Sequence, residues 1–222
     1  MYSTKPMPAQ VSRDLIDLFS GVETATIGHS RHIGFMHRGI QPMVRGRTVV
    51  GTAVTVAIPG PDSTMLHHAL GLLRPGDVLV VDRLGDDRHA CWGGAVTVSA
   101  KAAGAVAGIV DGPCTDLAEI EASGFPVWAR GLSPITTRIY DTGGGLNIPV
   151  CCGGAVVMPG DLILADDSGV LVLPVDEARE VGEAALKRQE RGRLAEIEFA
   201  AGRSKLGMVS GATDKILARL TA

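Results

Sequence analysis

No stretch of this 222-residue chain approaches the ~20 consecutive apolar residues needed to span a bilayer, and the opening MYSTKPMPAQ lacks the apolar core of a signal peptide. A protein of the cytoplasm, with no membrane partner, is expected. There is no excess of positive charge either: 21 Lys and Arg stand against 24 Asp and Glu, for a formal net charge of −3. Without a basic stripe to neutralise phosphates, nucleic acid is not the expected partner, whereas a small anion held at a locally positive site remains compatible. Cysteines are few, and Cys91, Cys114, Cys151 and Cys152 show no paired C-x-x-C spacing. They read as reduced core residues and not as a metal or redox centre, with Cys151 and Cys152 alternating faces if they lie on a strand. Six histidines (29, 32, 37, 67, 68 and 89) show no H-x-x-x-H spacing. A zinc site is therefore not expected, although His29, His32 and His37 are near enough in sequence to converge. Of His67 and His68, in one helix, one is expected buried and the other exposed.

What the chain has in quantity is glycine, 29 residues, and apolar side chains, 45% of the sequence, with only 4% aromatic. That is the composition of a compact α/β protein rich in tight turns, long enough for a sizeable core. One domain over residues 1–222 is the simplest reading, with a core at about 20–190 and a C-terminal helix and tail at about 175–222. Apolar spacing predicts a helix over 9–23, followed by a polar, histidine-rich connection, GHSRHIGFMHRGIQPM, that is either a surface loop or part of a site. RTVVGTAVTVAI reads as a strand pair or one bent strand, and STMLHHALGLL as a helix ended by Pro75-Gly76. DVLVVD and AVAGIVDG are short, continuously apolar strands suited to a sheet covered on both faces, and each leads through a loop into a helix. With FPVWARG as a further strand, the alternation argues for βαβ units and a mainly parallel sheet. Between about 135 and 173, turn signals recur every few residues, which predicts a compact β layer packed on the α/β part. Residues 175–201 form a long charged helix, and the tail after it has a short amphipathic end suited to packing on a neighbouring subunit.

Two helix starts then meet at the carboxyl edge of the sheet, where open α/β folds bind ligands. One begins near Gly93-Gly94-Ala95-Val96, whose free amides would make an anion cradle. The other begins near Thr115-Asp116, within DGPCTD. Asp116 has two readings: a helix cap or first-turn acid, or a carboxylate that holds a hard divalent cation together with water. A carboxylate facing the cradle is expected to be repelled unless a cation lies between it and an anionic ligand.

The chain also resembles the RraA-like family, which includes divalent-metal-dependent 4-hydroxy-4-methyl-2-oxoglutarate and 4-carboxy-4-hydroxy-2-oxoadipate aldolases and the regulator of RNase E activity A. The resemblance rests on Gly94, twenty residues, Thr115-Asp116, two residues and Glu119, set among VVGTAVTV, PGDVLVVD, WGGAVTVSAKAAGAVAGIVDG, FPVWARGLSP and IPVCCGGAVVMPGDLILADDSGVLVLP. It implies a swivelling β/β/α sandwich, an α/β fold, assembled as a homotrimer or a homohexamer. It also implies a lyase that cleaves a 4-hydroxy-2-oxo acid or decarboxylates oxaloacetate through a pyruvate enolate, with Mg²⁺ or Mn²⁺ as cofactor. By the resemblance Asp116 anchors the metal, with Glu119 as the second acid of the motif, and Gly94, Ala95 and Val96 bind the pyruvyl group of a small anionic 2-oxo acid.

One position departs from the family pattern. Where the family has Arg, this chain has Thr115, a neutral hydroxyl in place of a bidentate cation. Arg88, in the loop before the glycine pair, is the first candidate to replace it; Arg38, His37 and Arg138 are others. His89 in the same loop is the expected acid or base. A non-catalytic regulator that binds a protein partner, or a lyase with a different substrate, are the alternatives that Thr115 leaves open.

Overall fold

The computed structural model describes residues 1–221; Ala222, the end of the expected tail, lies outside the described residues. β-Branched and apolar runs build the centre: β1 (Tyr2–Thr4) and helices α1 (Arg13–Phe19) and α2 (Thr24–Gly28) lead to β2 (Gln41–Pro42) and the long β3 (Val49–Ala57). Then α3 (Thr64–Leu70), β4 (Asp77–Asp82), α4 (Gly94–Ala102), β5 (Ala107–Val110), α5 (Leu117–Ser123) and β6 (Val127–Ala129) alternate as the sequence predicts. The short strands β7 (Gly144–Leu146), β8 (Val150–Cys152), β9 (Ala155–Val157), β10 (Leu162–Asp166) and β11 (Gly169–Leu173) precede α6 (Val175–Ala200), α7 (Leu206–Val209) and α8 (Ala212–Leu220).

The main sheet has the order β1-β7-β3-β4-β5-β6-β2, with β10 joined to β3 and β11 to β10. β3, β4, β5 and β6 run parallel, while β2, β7 and β10 pair antiparallel with their neighbours in this central set. RTVVGTAVTVAI is thus one strand and not a pair. Its first half pairs with β10 (Val49 opposite Ala165) and its end with β7 (Ala57 opposite Gly145), while β4 runs along the other edge. The expected separate β layer shrinks accordingly to the β8–β9 hairpin, because β7, β10 and β11 extend the main sheet.

Residues on alternate faces of the same strands fill two cores. Val54, Leu79, Val81 and Val110 pack beneath α3, α4 and α5, and Val78, Val80, Ile109 and Trp128 pack beneath the β8–β9 hairpin. A third core joins α1, α2 and α6 to β10 and β11. Sheet, helices on one face and hairpin on the other make the expected α/β sandwich. The predicted helix over 9–23 is realised as the shorter α1, capped by the Ser12 side chain, and α2 follows it as a separate helix that the sequence reading did not place. His67 and His68 are both exposed, because the buried stripe of α3 is Met65, Leu66, Ala69 and Leu70. Cys91, Cys114 and Cys152 are buried free thiols, and burial pushes Cys91 and Cys114 up to about 11. Cys151 is exposed, so it does not belong to the core although it does alternate with Cys152. No described helix is long and apolar enough to cross a membrane.

Candidate active site

The two helix starts meet as the spacing predicts, but their electrostatics differ from the expectation. Gly93 stands at the N-cap of α4 and has no side chain to satisfy the helix's first amides. Asp116 supplies the missing acceptor from the next βα loop: its Oδ2 accepts from the Gly94 N–H at 3.0 Å. The positive end of α4 attracts this carboxylate, so Asp116 itself takes one of the amides expected to be free for an anionic ligand. Asp116 occupies the N-cap position of α5 but makes no side-chain cap there. The cap reading is right in kind and wrong in address, because the aspartate caps the neighbouring helix.

Asp116 has φ 54° and ψ 43°, in the left-handed region that Asp tolerates better than most residues and that still stores strain. Thr115 is pinned just before it, its N–H donating to Trp92 O at 2.8 Å and its hydroxyl to Asp116 Oδ1 at 3.3 Å. Trp92 is fully buried, donates from Nε1 to Thr97 Oγ1 at 2.9 Å and stacks on Phe125 at 6.3 Å. The floor of the site is consequently rigid.

Glu119, in the first turn of α5, reaches the same place. A β-carbon at Gly94 would overlap the Glu119 carboxylate, and one at Gly93 would overlap that of Asp116 and stand 2.9 Å from Thr115 Cγ2. The glycine pair exists so that two acids can approach one helix start closely. Beyond them, the amides of Ala95 and Val96 find no acceptor among the described residues. The site therefore offers two convergent carboxylates and two free donors on a 9-residue helix.

No three His, Cys, Asp or Glu side chains group as a metal centre among the described residues. His29, His32 and His37 in particular do not. Two carboxylates with no third protein ligand would leave most of a cation's coordination to water, a supply suited to a hard ion such as Mg²⁺; Asp116 reaches into the space above Gly93 and Glu119 into that above Gly94.

The other candidates scatter. Arg88 is exposed and forms no ion pair among the described residues; its N–H donates to Asp86 Oδ1 at 2.9 Å. His89 is half-buried, with Nδ1 2.8 Å from Asp86 Oδ2. Arg138 is exposed and fixed by its main chain to Pro61 and Ser63. His37 and Arg38 lie at the turn beside the β8–β9 hairpin, where the His37 N–H donates to Gly153 O. On that side Arg130 pairs with Asp111, a contact that sequence reading missed because the two residues lie nineteen apart on neighbouring strand ends. Sequence reading also missed Asp86 and Arg83; the signal was present in the charge of RLGDDRH directly after an apolar strand. A hollow of about 1130 Å³ between α2 and α6 is lined by His29, but by neither of the two acids nor by Thr115, Arg88 or His89.

The two acids and the free helix amides thus stand at the carboxyl edge of the parallel strands, the place where open α/β sheets bind ligands. Comparisons with known proteins give the family. The family model described as RraA-like, Aldolase/RraA, matches residues 14–172, and the chain belongs to this family. A protein of Halalkalibacterium halodurans named "Putative 4-hydroxy-4-methyl-2-oxoglutarate aldolase" is 33% identical over 183 residues, covering 82% of this chain and 86% of its own. The structure of Streptomyces coelicolor RraAS2, described as an unusual member of the RNase ES inhibitor RraA protein family, superposes with a TM-score of 0.74 at 27% identity, covering 86% of this chain and 98% of that one. The RNA-processing inhibitor RraA from Thermus thermophilis gives a TM-score of 0.59 at 25% identity over 76% of this chain and 94% of its own.

Proposed function

We propose that the protein is a lyase, dependent on Mg²⁺ or Mn²⁺, that stabilises a pyruvate-type enolate during retro-aldol cleavage of a 4-hydroxy-2-oxo acid or decarboxylation of oxaloacetate. The observation that carries this reading is the convergence of Asp116 and Glu119 on Gly93-Gly94 beside the free amides of Ala95 and Val96. A divalent ion held by Asp116 and Glu119 would supply Lewis acidity toward the 2-oxo acid. The amides then donate to the pyruvyl oxygens, where negative charge grows as the carbon–carbon bond breaks. Because Asp116 already takes the Gly94 N–H, Gly94 serves by its lack of a side chain, and Ala95 and Val96 are the donors to substrate. Thr115 offers a hydroxyl at the edge of the site, and Arg88 is the cation available for a distal carboxylate. His89 is the group for proton transfer.

The test is release of pyruvate from a panel of 4-hydroxy-2-oxo acids and oxaloacetate, with Mg²⁺, with Mn²⁺ and with chelator. Turnover that chelator abolishes and Asp116→Asn lowers at least a hundredfold is the expected result. No turnover on any substrate with either ion overturns the reading.

Thr115 favours a second reading. Without the family's arginine the site loses a charge-assisted bond worth about 1.5–3 kcal/mol, and a regulator that holds a protein partner would not need it. Asp116→Ala separates the two readings, since a lyase loses turnover whereas a surface binder keeps its partner in a pull-down.

A further inference from the structure

The loop leaving β4 carries two interlocked charges behind His89, those of Arg83 and Asp86. Arg83 is fully buried. Its Nη2 donates to the carbonyl oxygens of Gly60 at 2.6 Å and His89 at 3.3 Å, and lies 3.6 Å from Asp86 Oδ2. Its Nε and Nη1 have no partner among the described residues, so a buried cation is kept here at a cost in solvation. Gly112 leaves the space for it, since a β-carbon there would stand 2.7 Å from Arg83 Cγ.

Asp86 connects this cation to a histidine. Its Oδ1 accepts from the N–H groups of Arg88 and His89, both at 2.9 Å, and its Oδ2 meets His89 Nδ1 at 2.8 Å. Burial works against the charge on Asp86. The two amides, the imidazole and Arg83 outweigh it and hold the carboxyl below its usual range. An ionised carboxylate can only accept, so Nδ1 carries the hydrogen and Nε2 is left as the nitrogen free to take or give a proton.

The loop is also fastened to the carboxylate site. The segment after β6 ties the two together: Ser133 Oγ donates to Arg88 O at 2.7 Å, and Ser133 N donates to Cys114 O at 2.9 Å. Only three residues, an extended reach of at most about 10 Å, take the chain from His89 to Trp92, whose carbonyl holds Thr115.

We propose that Asp86 and Arg83 are positioning residues that fix the tautomer and direction of His89, and that His89 Nε2 carries the proton of the reaction. The proposal rests on the lyase reading. In cleavage, Nε2 takes the proton of the C4 hydroxyl while the C3–C4 bond breaks; its electron pair passes into the enolate and C4 leaves as a carbonyl. The same proton then passes from Nε2 to C3, giving pyruvate and restoring the neutral imidazole.

Two measurements test this. In D₂O with Mg²⁺, loss of the pyruvate methyl signal by proton NMR reports proton exchange at C3 and needs no second substrate. His89→Gln is expected to slow exchange at least tenfold. Asp86→Asn is expected to slow it five- to fiftyfold in kcat with KM within twofold, and to change nothing further in the His89→Gln background. Arg83→Lys should follow Asp86→Asn; if it does not fold, the Asp86 and His89 cycle decides alone. Independently of activity, nitrogen-15 spectra of His89 should show hydrogen on Nδ1 in the natural protein and a shift toward Nε2 in Asp86→Asn. Exchange at the natural rate in His89→Gln, while Asp116→Asn abolishes it, overturns this proposal and leaves the lyase reading standing. Hydrogen on Nε2 in the natural protein, or equal losses from Asp86→Asn in both backgrounds, overturns the positioning role. No exchange by the natural protein overturns both readings.

Discussion

Asp116 occupies the left-handed region, gives its carboxylate to a helix other than its own, and shares that helix start with Glu119. The strain is tolerated because the turn is held on both sides, by Thr115 N to Trp92 O and by the α5 hydrogen bonds that Asp116 O accepts from Glu119 and Ile120. The residue that senses this crowding most directly is Gly94. Gly94→Ala must displace the Glu119 carboxylate, the far end of an exposed and flexible side chain, so it is expected to change stability by less than about 1 kcal/mol. It should instead weaken Mn²⁺ binding at least tenfold, because the second acid is pushed off the site. Denaturant melts and Mn²⁺ titration check both; an unchanged metal affinity would mean that Glu119 does not belong to the site.

Among the elements, α3 shows how a short helix fastens a distant segment at the same sheet edge. Asp62, buried just before α3, accepts from the N–H and hydroxyl of Thr64, from the N–H and hydroxyl of Thr142, and from Tyr140 N. Burial alone would raise its carboxyl, but these donors prevail and hold it well below the usual range. A depressed carboxyl stabilises the fold above its unfolded value of about 4 and loses that contribution as the pH falls toward its folded value. Asp62→Ala is therefore expected to cost roughly 2–4 kcal/mol near neutrality, and the deficit should shrink as the pH is lowered from 5 toward 2. Urea melts across that range measure it. A deficit that does not change with pH would show that the lost contribution is packing and not charge.

At the scale of the whole molecule, the C-terminal segment from α6 onward is built differently from the rest. α6 buries only Ala178, Gly182 and Ala185, and Leu206, Val209, Ile216, Leu217 and Leu220 of α7 and α8 are exposed. A helix as short as α8, with 9 residues, is marginal by itself in water, so an apolar surface of this kind is consistent with the trimer or hexamer that the family resemblance implies. Light scattering is expected to give three or six times the chain mass of 23.0 kDa. Ile216→Glu together with Leu220→Glu should lower that mass while the melting of the core changes little. A monomeric mass for the natural protein would overturn the expectation.

How much of this was legible in the sequence depends on the range of the interaction. Local patterns place β4, α4, β5, α5 and β6 correctly, because continuous apolar runs and glycine-bounded helix starts are short-range signals. They mislead over residues 135–173, where the choice of partner decides whether a strand belongs to the main sheet: β10 pairs with β3, more than a hundred residues earlier. The same distinction divides the site. From the spacing alone one can place Gly94, Thr115, Asp116 and Glu119 at one sheet edge, since two βα units that are neighbours in a parallel sheet must end together. Only the tertiary structure decides that Asp116 caps α4 and not α5, that Glu119 fills the space above Gly94, and that Arg83 and Asp86 stand behind His89. Those outcomes depend on side-chain directions and on which buried donor finds which acceptor, and such pairings form across loops that carry no periodic signal.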